Sequence, residues 1–153
     1  MNVTLRPVLE SDLPFLFQMQ LDPEANALAA VIPRNEETYF QRWKEILQNS
    51  NIVPMAILLD GELVGQISVF QADGQDCVGY WIAKDWWRKG IASRALPLLL
   101  EEVTIRPLHA HVAKHNVASF RVLEKSGFKI VGWEYRPGDE RYLACEEAML
   151  ILH

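Results

Sequence analysis

The chain has 153 residues, half of them hydrophobic, with 20 acidic side chains against 15 basic ones. This length and apolar content fit one compact domain with a sizeable core, so we expect residues 1–153 to form a single domain. The net charge of −5 leaves no broad basic surface, which argues against binding to nucleic acid or to an anionic membrane.

The first residues, MNVTLRPVLESDL, lack the basic start and apolar run of a secretory signal. No stretch approaches the roughly 18 apolar residues of a membrane span, so we expect a soluble, cytoplasmic protein. Cys77 and Cys145 stand apart from any CxxC or metal-ligand spacing, which predicts reduced cysteines in strands. His109 and His111 alternate on one strand face, but no third ligand follows at a fitting spacing, so no metal site is predicted.

The N-terminal third is predicted to hold one strand and three short helices. Val3 to Arg6 alternates like a strand, and Ser11-Asp12 is expected to cap a first helix with apolar residues between Leu13 and Met19. A turn at residues 21–24 is expected to end that helix. The apolar periodicity then predicts two more helices, at residues 26–31 and 35–48.

An antiparallel meander is predicted next, because an Asp60-Gly61 turn joins two apolar segments and a polar loop precedes a third. The three strands span residues 53–59, 62–70 and 76–83. Later patterns predict helices at residues 90–104 and 116–126 and strands at residues 108–113, 129–136 and 145–152. This order predicts an α/β (α+β) protein with a mixed, mostly antiparallel sheet and helices on both faces.

The segment from Asp85 to Leu96, DWWRKGIASRAL, lies where a strand passes into a helix. The first N–H groups of a helix have no internal partner and carry the positive end of the helix dipole, so they attract phosphate oxygens. Gly90 and the small Ala92 let a ligand approach the backbone closely. Arg88 and Lys89 add positive charge at the same point. The segment therefore predicts an anion site, with a solvated basic turn as the alternative.

A second motif follows the strand at residues 108–113, in the segment KHNVASFRVLEKSGF from Lys114 to Phe128. Together with WWRKGIA, it resembles the GCN5-related N-acetyltransferases (GNAT superfamily), particularly the branch similar to the ribosomal-protein N-terminal acetyltransferases. The family's pyrophosphate loop reads Gln/Arg-x-x-Gly-x-Gly/Ala and falls here on Trp87 to Ala92, with Trp87 departing at the first position. The similarity extends over nearly the whole chain and implies the GNAT fold.

The resemblance implies acetyl-CoA as the cofactor and indicates its binding residues. The backbone of Trp81, Ile82 and Ala83 would pair with the pantetheine arm like an added strand. Asn116 would contact the cofactor from the next helix; its simpler role is a helix N-cap, and the two roles are compatible. The pyrophosphate would be held by the turn, through Arg88, Lys89, Gly90, Ile91, Ala92 and Ser93.

Acetyl transfer to an amine requires a base for the ammonium proton, a donor to the oxyanion and an acid for the leaving thiolate. Asp76 is the first candidate base, because the family's catalytic glutamate often lies at the start of this strand. Glu134 is the second candidate, ahead of Glu146 and Glu147. The family's oxyanion donor is a backbone N–H, here near Ile82.

The acid is expected on the second motif. Many relatives place a tyrosine just before the Glu-Lys of this helix, but Leu123 occupies that position here. Ser119, one turn after Asn116, is the position that the ribosomal-protein branch suggests for contact with the thioester sulfur. Tyr80 and Tyr142 are the alternatives.

These features predict an acetyl-CoA-dependent N-acetyltransferase that moves an acetyl group to a primary amine by direct attack in a ternary complex. The acceptor is a small molecule or a peptide N-terminus, and a homodimer is a further hypothesis. A catalytically weak or inactive CoA-binding sensor or interaction protein is the alternative. The segments LDPEAN, RNEETYF and PGDERYLACEE are acidic, so cationic amines are expected to be favoured if these segments border the acceptor cleft.

Overall fold

The computed structural model describes all 153 residues of the chain. It contains seven strands and five helices, with short 3-10 turns at Glu10–Asp12 and Lys84–Trp86. The strands are β1 (Val3–Pro7), β2 (Val53–Leu59), β3 (Glu62–Ala72), β4 (Gln75–Ile82), β5 (Leu108–Ala113), β6 (Lys129–Arg136) and β7 (Cys145–Leu152). The helices are α1 (Leu13–Met19), α2 (Pro23–Ala29), α3 (Glu36–Gln48), α4 (Ile91–Glu102) and α5 (Val117–Lys125).

All seven strands form one sheet in the order β1-β2-β3-β4-β5-β7-β6. Every neighbouring pair is antiparallel except β4 and β5, which run parallel. The parallel pair is joined at a single position, Cys77 opposite His109. The predicted fold class is therefore confirmed, and the sheet has one weak seam at its centre.

Helices cover both faces of the sheet, as predicted. On one face α4 buries Ile91, Leu96 and Leu99 in the larger core, against apolar side chains of β2 to β5. On the other face Leu16 of α1 and Trp43 of α3 belong to a second, smaller core. Because side chains alternate along a strand, β4 sends Tyr80 and Ile82 to the first core and Trp81 to the second.

Two expectations about the first helices were wrong. Asp12 does not cap α1; its carboxylate binds Arg6 at 2.7 Å and accepts the Leu9 N–H at 2.8 Å. Residues 21–24 are not a simple turn, because Asp22 caps α2 by accepting the Ala25 N–H at 3.0 Å. Pro23 occupies the first turn of that helix, where its missing N–H costs nothing.

No helix of this structure combines the length and the apolar character that crossing a membrane requires.

Candidate active site

The seam between β4 and β5 opens into a gap. Beyond Cys77 the two strands share no further paired position, so the outer edge of β4 is left without a neighbouring strand. Ala83 donates its N–H to the Val64 carbonyl at 2.9 Å, which is on the β3 side. Antiparallel alternation therefore directs the N–H groups of Tyr80 and Ile82 into the gap.

A cavity of about 1040 Å³ lies beside this gap, between β4, α2, α4 and α5. Most of the cofactor-binding residues predicted from the sequence line it. They are Trp81, Ile82, Arg88, Gly90, Ile91, Ala92, Ser93, Asn116 and Ser119. The predicted residues Ala83 and Lys89 do not line this cavity.

The turn before α4 has an unusual backbone. Gly90 is the N-cap of α4 with φ of +72°, and Arg88 has a positive φ of 63°. A side chain at Gly90 would meet no atom within 4 Å, so this glycine faces open space rather than packed protein. No side chain caps the helix, and its first N–H groups are left for an anion, with the Arg88 side chain beside them. The geometry fits a pyrophosphate group.

Trp87, the residue that departs from the family's loop pattern, has a structural role. Its indole Nε1–H donates to the Ile82 carbonyl at 2.8 Å. The Ala83 carbonyl accepts the Trp86 N–H at 2.9 Å, so the end of β4 is held by the turn that follows it. The Ile82 N–H remains directed into the gap, where the resemblance implies the oxyanion donor.

The sequence did not reveal the α2 wall of this cavity or the contribution of the later α5 residues. Helix α2 contributes Ala25, Leu28 and Ala29, an i, i+3, i+4 stripe that could have been recognised by its spacing. Lys84 fixes the start of α2 to the β4 end by contacting Glu24 at 3.0 Å. Helix α5 contributes several residues after Ser119, including the cations Arg121 and Lys125.

A second cavity, of about 490 Å³, lies on the other side of the gap. Tyr80, Asn116 and Ser119 line both cavities and so mark their junction. At this junction the Tyr80 and Ser119 hydroxyl oxygens are 2.6 Å apart. Burial raises the pKa of Tyr80 to about 12, so its hydroxyl stays protonated at neutral pH and can donate a hydrogen bond. The Asn116 side chain makes no capping bond to α5.

Two carboxylates line the second cavity in different environments. Glu147 contacts Arg136 at 2.6 Å and His111 at 3.4 Å. Burial opposes its ionisation, but these two partners lower the pKa of Glu147 below its ordinary value. Glu134 stands opposite Glu147 on β6 and forms no ion pair, which leaves its carboxylate available to a ligand.

His111 is held in its charged form. Cys77 and Glu147, in that order, raise the pKa of His111 to about 10. A histidine with that pKa carries a proton at neutral pH and is a poor acceptor for another, so it is unsuited to act as the base.

The other predicted candidates lie in different places. Asp76 lines neither cavity, and its carboxylate accepts a hydrogen bond from the Gln71 side chain at 3.0 Å. Glu146 is exposed and pairs with Lys114 at 3.0 Å. Tyr142 lines the second cavity. The structure holds no group of three His, Cys, Asp or Glu side chains arranged for a metal ion.

Comparison with known proteins gives the family. Residues 2–129 match the family described as "Acetyltransferase (GNAT) domain". The putative ribosomal N-acetyltransferase YdaF of Bacillus subtilis is 32% identical over 99 residues, which is 60% of this chain and 54% of YdaF. The alignment thus spans about half the length of that relative.

Solved structures agree with this fold. RimJ from Mycobacterium smegmatis, in complex with CoA-disulfide, is similar with a TM-score of 0.77 at 23% identity, covering 98% of this chain and 81% of RimJ. A Salmonella typhimurium acetyl transferase described as modifying the N-terminal serine of ribosomal protein L7/L12 has a TM-score of 0.81 at 20% identity, covering 98% of this chain and 94% of that one.

The chain belongs to the GNAT acetyltransferase family. Membership confirms the predicted family and fold, and with them the predicted class of protein, an N-acetyltransferase domain of the type that uses acetyl-CoA.

Proposed function

We propose that this protein transfers an acetyl group from acetyl-CoA to the N-terminal amine of a peptide or protein. The observation that carries this proposal is the Tyr80–Ser119 pair at the junction of the two cavities. The larger cavity ends in an anion-binding turn, and the smaller one holds an unpaired carboxylate, Glu134. Two substrates bound in these cavities would meet at the two hydroxyl groups.

The residues of the larger cavity fit coenzyme A. The α4 N-terminus and the Arg88 side chain would bind the pyrophosphate, and the unpaired edge of β4 would pair with the pantetheine arm. Asn116 and Ser119 face the same space from α5. Lys89 and Ala83, which do not line the cavity, stay predictions as cofactor contacts. Acetyl-CoA bound in this way would supply the thioester.

Each residue at the junction would then perform one step of the reaction. Glu134 accepts a proton from the acceptor ammonium, directly or through water, and the freed amine attacks the thioester carbonyl. The Ile82 N–H stabilises the negative charge that develops on the carbonyl oxygen. As the carbon–sulfur bond breaks, the Ser119 hydroxyl donates its proton to the thiolate and regains one, directly or through water, from the attacking nitrogen, which loses its second proton to become the amide. Tyr80 holds Ser119 in place. The products are an N-acetylated acceptor and free CoA.

A peptide or protein acceptor is favoured over a small molecule by the names of relatives. YdaF is named as a ribosomal N-acetyltransferase, and the Salmonella protein is described as acting on an N-terminal serine. The second cavity is lined by residues of β6, β7 and the segment after α2.

A panel of amines tests the proposal. Thiol release from acetyl-CoA would be followed with peptides, aminoglycoside-like compounds, polyamines and amino acids, and mass spectrometry would locate the acetyl group. We expect release to depend on peptide and the acetyl group to lie on the α-nitrogen. Calorimetry with CoA completes the test, because tight CoA binding without transfer to any amine would replace the proposal with a CoA-binding sensor.

A further inference from the structure

Two cations of α5 face the larger cavity. Four residues of this helix line the cavity at the spacing i, i+3, i+4 and i+7, namely Ala118, Arg121, Val122 and Lys125. This spacing places them on one face of the helix. Arg121 and Lys125 are also exposed, so their side chains lie where the cavity opens to solvent. The turn before α4 lines the same cavity through Arg88 and Gly90.

The positions of the two ends of the cofactor place its nucleotide beside these cations. The thioester would lie at Ser119, where the two cavities join. Lys125 is six positions further along the chain, which is a rise of about 9 Å along the helix. A cofactor whose thioester is at this inner junction and whose pyrophosphate is at Gly90 has its nucleotide end at the open side of the cavity. Arg121 and Lys125 lie at that side.

The protein does not neutralise either cation. Neither Arg121 nor Lys125 forms an ion pair. The carboxylate of Glu24, which lines the same cavity, is bound to Lys84 at 3.0 Å. Glu124 is the other carboxylate of the lining; it is exposed and unpaired. With Arg88 included, three unpaired cations face one unpaired carboxylate, so the lining favours an anionic ligand.

The turn before α4 supplies too little positive charge for all the phosphates of CoA. Only Arg88 of its two cations lines the cavity, and the Trp87 indole N–H already donates to the Ile82 carbonyl at 2.8 Å. One arginine and a helix N-terminus, which carries about half a positive charge, suit the pyrophosphate. CoA also has a 3′-phosphate, and a phosphate monoester carries a charge of about −1.5 to −2 at pH 7. The turn has no further cation for this group.

We infer that Arg121 and Lys125 bind the 3′-phosphate of CoA and thereby select CoA over dephospho-CoA. Two cations match the charge of a phosphate monoester. The arginine offers two parallel N–H groups to the phosphate oxygens, and the lysine offers a mobile point charge. This inference rests on the cofactor of the proposed function and is independent of its acceptor.

Calorimetry with CoA and dephospho-CoA tests the inference, because the two ligands differ only in the 3′-phosphate. We expect wild type to bind CoA about 10-fold or more tightly than dephospho-CoA, as charged hydrogen bonds would produce. This ratio should fall as salt rises. Arg121→Gln combined with Lys125→Gln should bring the ratio close to one, with the Kd of dephospho-CoA and the Tm close to their wild-type values.

The controls separate a contact with the 3′-phosphate from a general effect of charge. Lys129→Gln removes an exposed positive charge just beyond α5 that lines neither cavity, and it should keep the ratio. Arg121→Lys keeps the charge but loses the parallel N–H groups, so it should reduce the ratio in part. A double variant that loses equal affinity for both ligands would place the two cations at the pyrophosphate and overturn the inference.

Phosphorus NMR observes the 3′-phosphate separately from the pyrophosphate. A free phosphate monoester loses its second proton with a pKa of about 6. Two adjacent cations favour the doubly charged form, so the pKa of the 3′-phosphate should be lower in the wild-type complex than in the complex of the double variant. Equal pKa values in the two complexes would contradict a direct contact.

These binding measurements need no acetyl transfer and so separate the two proposals. A preference for CoA that depends on Arg121 and Lys125 supports the phosphate site even if no amine is acetylated. Equal Kd values of wild type for CoA and dephospho-CoA overturn the site even if acetyl transfer is observed. A wild-type protein that binds neither ligand would overturn both proposals.

Discussion

Two hydroxyl groups at the cavity junction decide how the thiolate leaves in the proposed reaction. Ser119 is on α5 and Tyr80 is on β4, and their hydroxyl oxygens are 2.6 Å apart. One hydroxyl hydrogen lies between the two oxygens, so the other hydroxyl hydrogen can point toward the gap. Because burial keeps Tyr80 protonated, it can donate to Ser119 while Ser119 donates to the sulfur. Ser119 is therefore the acid of the proposal, and Tyr80 is a positioning residue.

Removing these hydroxyls should slow turnover without weakening cofactor binding. A hydrogen bond to a charged group is worth about 1.5–3 kcal/mol, so we expect Ser119→Ala to lower kcat by about 10- to 150-fold. Tyr80→Phe should lower kcat by less, because Ser119 keeps its proton. Stopped-flow single turnover and CoA calorimetry measure the two effects. Unchanged single-turnover rates in both variants would remove the pair from the mechanism.

Glu134 and Asp76 are the two candidate bases, and their positions distinguish them. Glu134 lines the acceptor cavity, whereas Asp76 is bonded to Gln71 outside it. We expect Glu134→Gln to lower kcat by about 10²- to 10⁴-fold and to remove the acidic limb of the pH–rate profile. Asp76→Asn is the matched control and should leave kcat close to that of wild type, since this side chain lines neither cavity and its hydrogen bond to Gln71 contributes to stability rather than to turnover. The opposite ranking would assign the base to Asp76.

At the scale of elements, the start of α4 restricts the choice of residue most strongly. Gly90 has a left-handed backbone there, and the space beside it is open to a ligand. Gly90→Val should abolish CoA binding through its branched side chain and should lower stability, since left-handed backbone costs a non-glycine residue about 1–2 kcal/mol. Asparagine adopts a positive φ more readily than valine, so Gly90→Asn should lose less stability than Gly90→Val while still losing CoA affinity.

Gly74, in the β3–β4 turn, provides the control for this experiment. It has a φ of +75° and equally open surroundings. Gly74→Val should therefore lose similar stability in thermal unfolding but bind CoA normally in calorimetry. If both valine variants bind CoA like wild type, the pyrophosphate is not held at the α4 N-terminus.

The junction between β1 and α1 depends on the buried Asp12. Its hydrogen bond from Arg6 and the Leu9 N–H lower the pKa of Asp12 below its ordinary value of 3.8, despite burial. We expect Asp12→Asn to lower the free energy of unfolding by about 2–3 kcal/mol at neutral pH, measured in urea. A depressed carboxyl pKa stabilises the fold above the unfolded value and loses its effect as pH falls through the folded value. The difference between wild type and variant should therefore begin to shrink as the pH falls below 3.8 and should disappear once the pH is below the folded-state pKa. A constant difference across that range would contradict this assignment.

At the scale of the whole molecule, β6 is one of the two edge strands of the sheet, the other being β1. This edge strand has no neighbour on its outer side and exposes Val131, Trp133 and Tyr135, each more than half accessible to solvent. Unpaired edges with apolar side chains favour association with another strand. The homodimer stays a prediction, and we expect its interface to be formed by this edge strand.

Sedimentation equilibrium tests that prediction at micromolar concentration. We expect twice the 17.5 kDa mass of the chain for wild type, and the monomer mass for Trp133→Glu with its Tm unchanged. A monomeric wild-type protein would contradict it.

The sequence predicted the strands better than the site. The Asp60-Gly61 turn and the alternating segments beside it depend on local chemistry, and β2 and β5 to β7 begin and end where expected. Asp12 was misassigned because its partner, Arg6, competes with the helix end for the carboxylate. The Tyr80–Ser119 contact joins residues 39 positions apart and follows only from the β4–β5 gap, which no local pattern encodes.

The central claim is that the two cavities bind cofactor and amine together for direct transfer. A bisubstrate analogue, in which the N-terminal nitrogen of a peptide is joined to the CoA sulfur through an acetyl bridge, tests it most directly. Because linking two ligands that bind side by side makes the second binding event intramolecular, we predict a Kd about 100-fold or more below that of CoA alone. Ser119→Trp, which fills the junction, should remove this gain and keep CoA affinity within about 10-fold. An analogue that binds wild type no more tightly than CoA would contradict the claim.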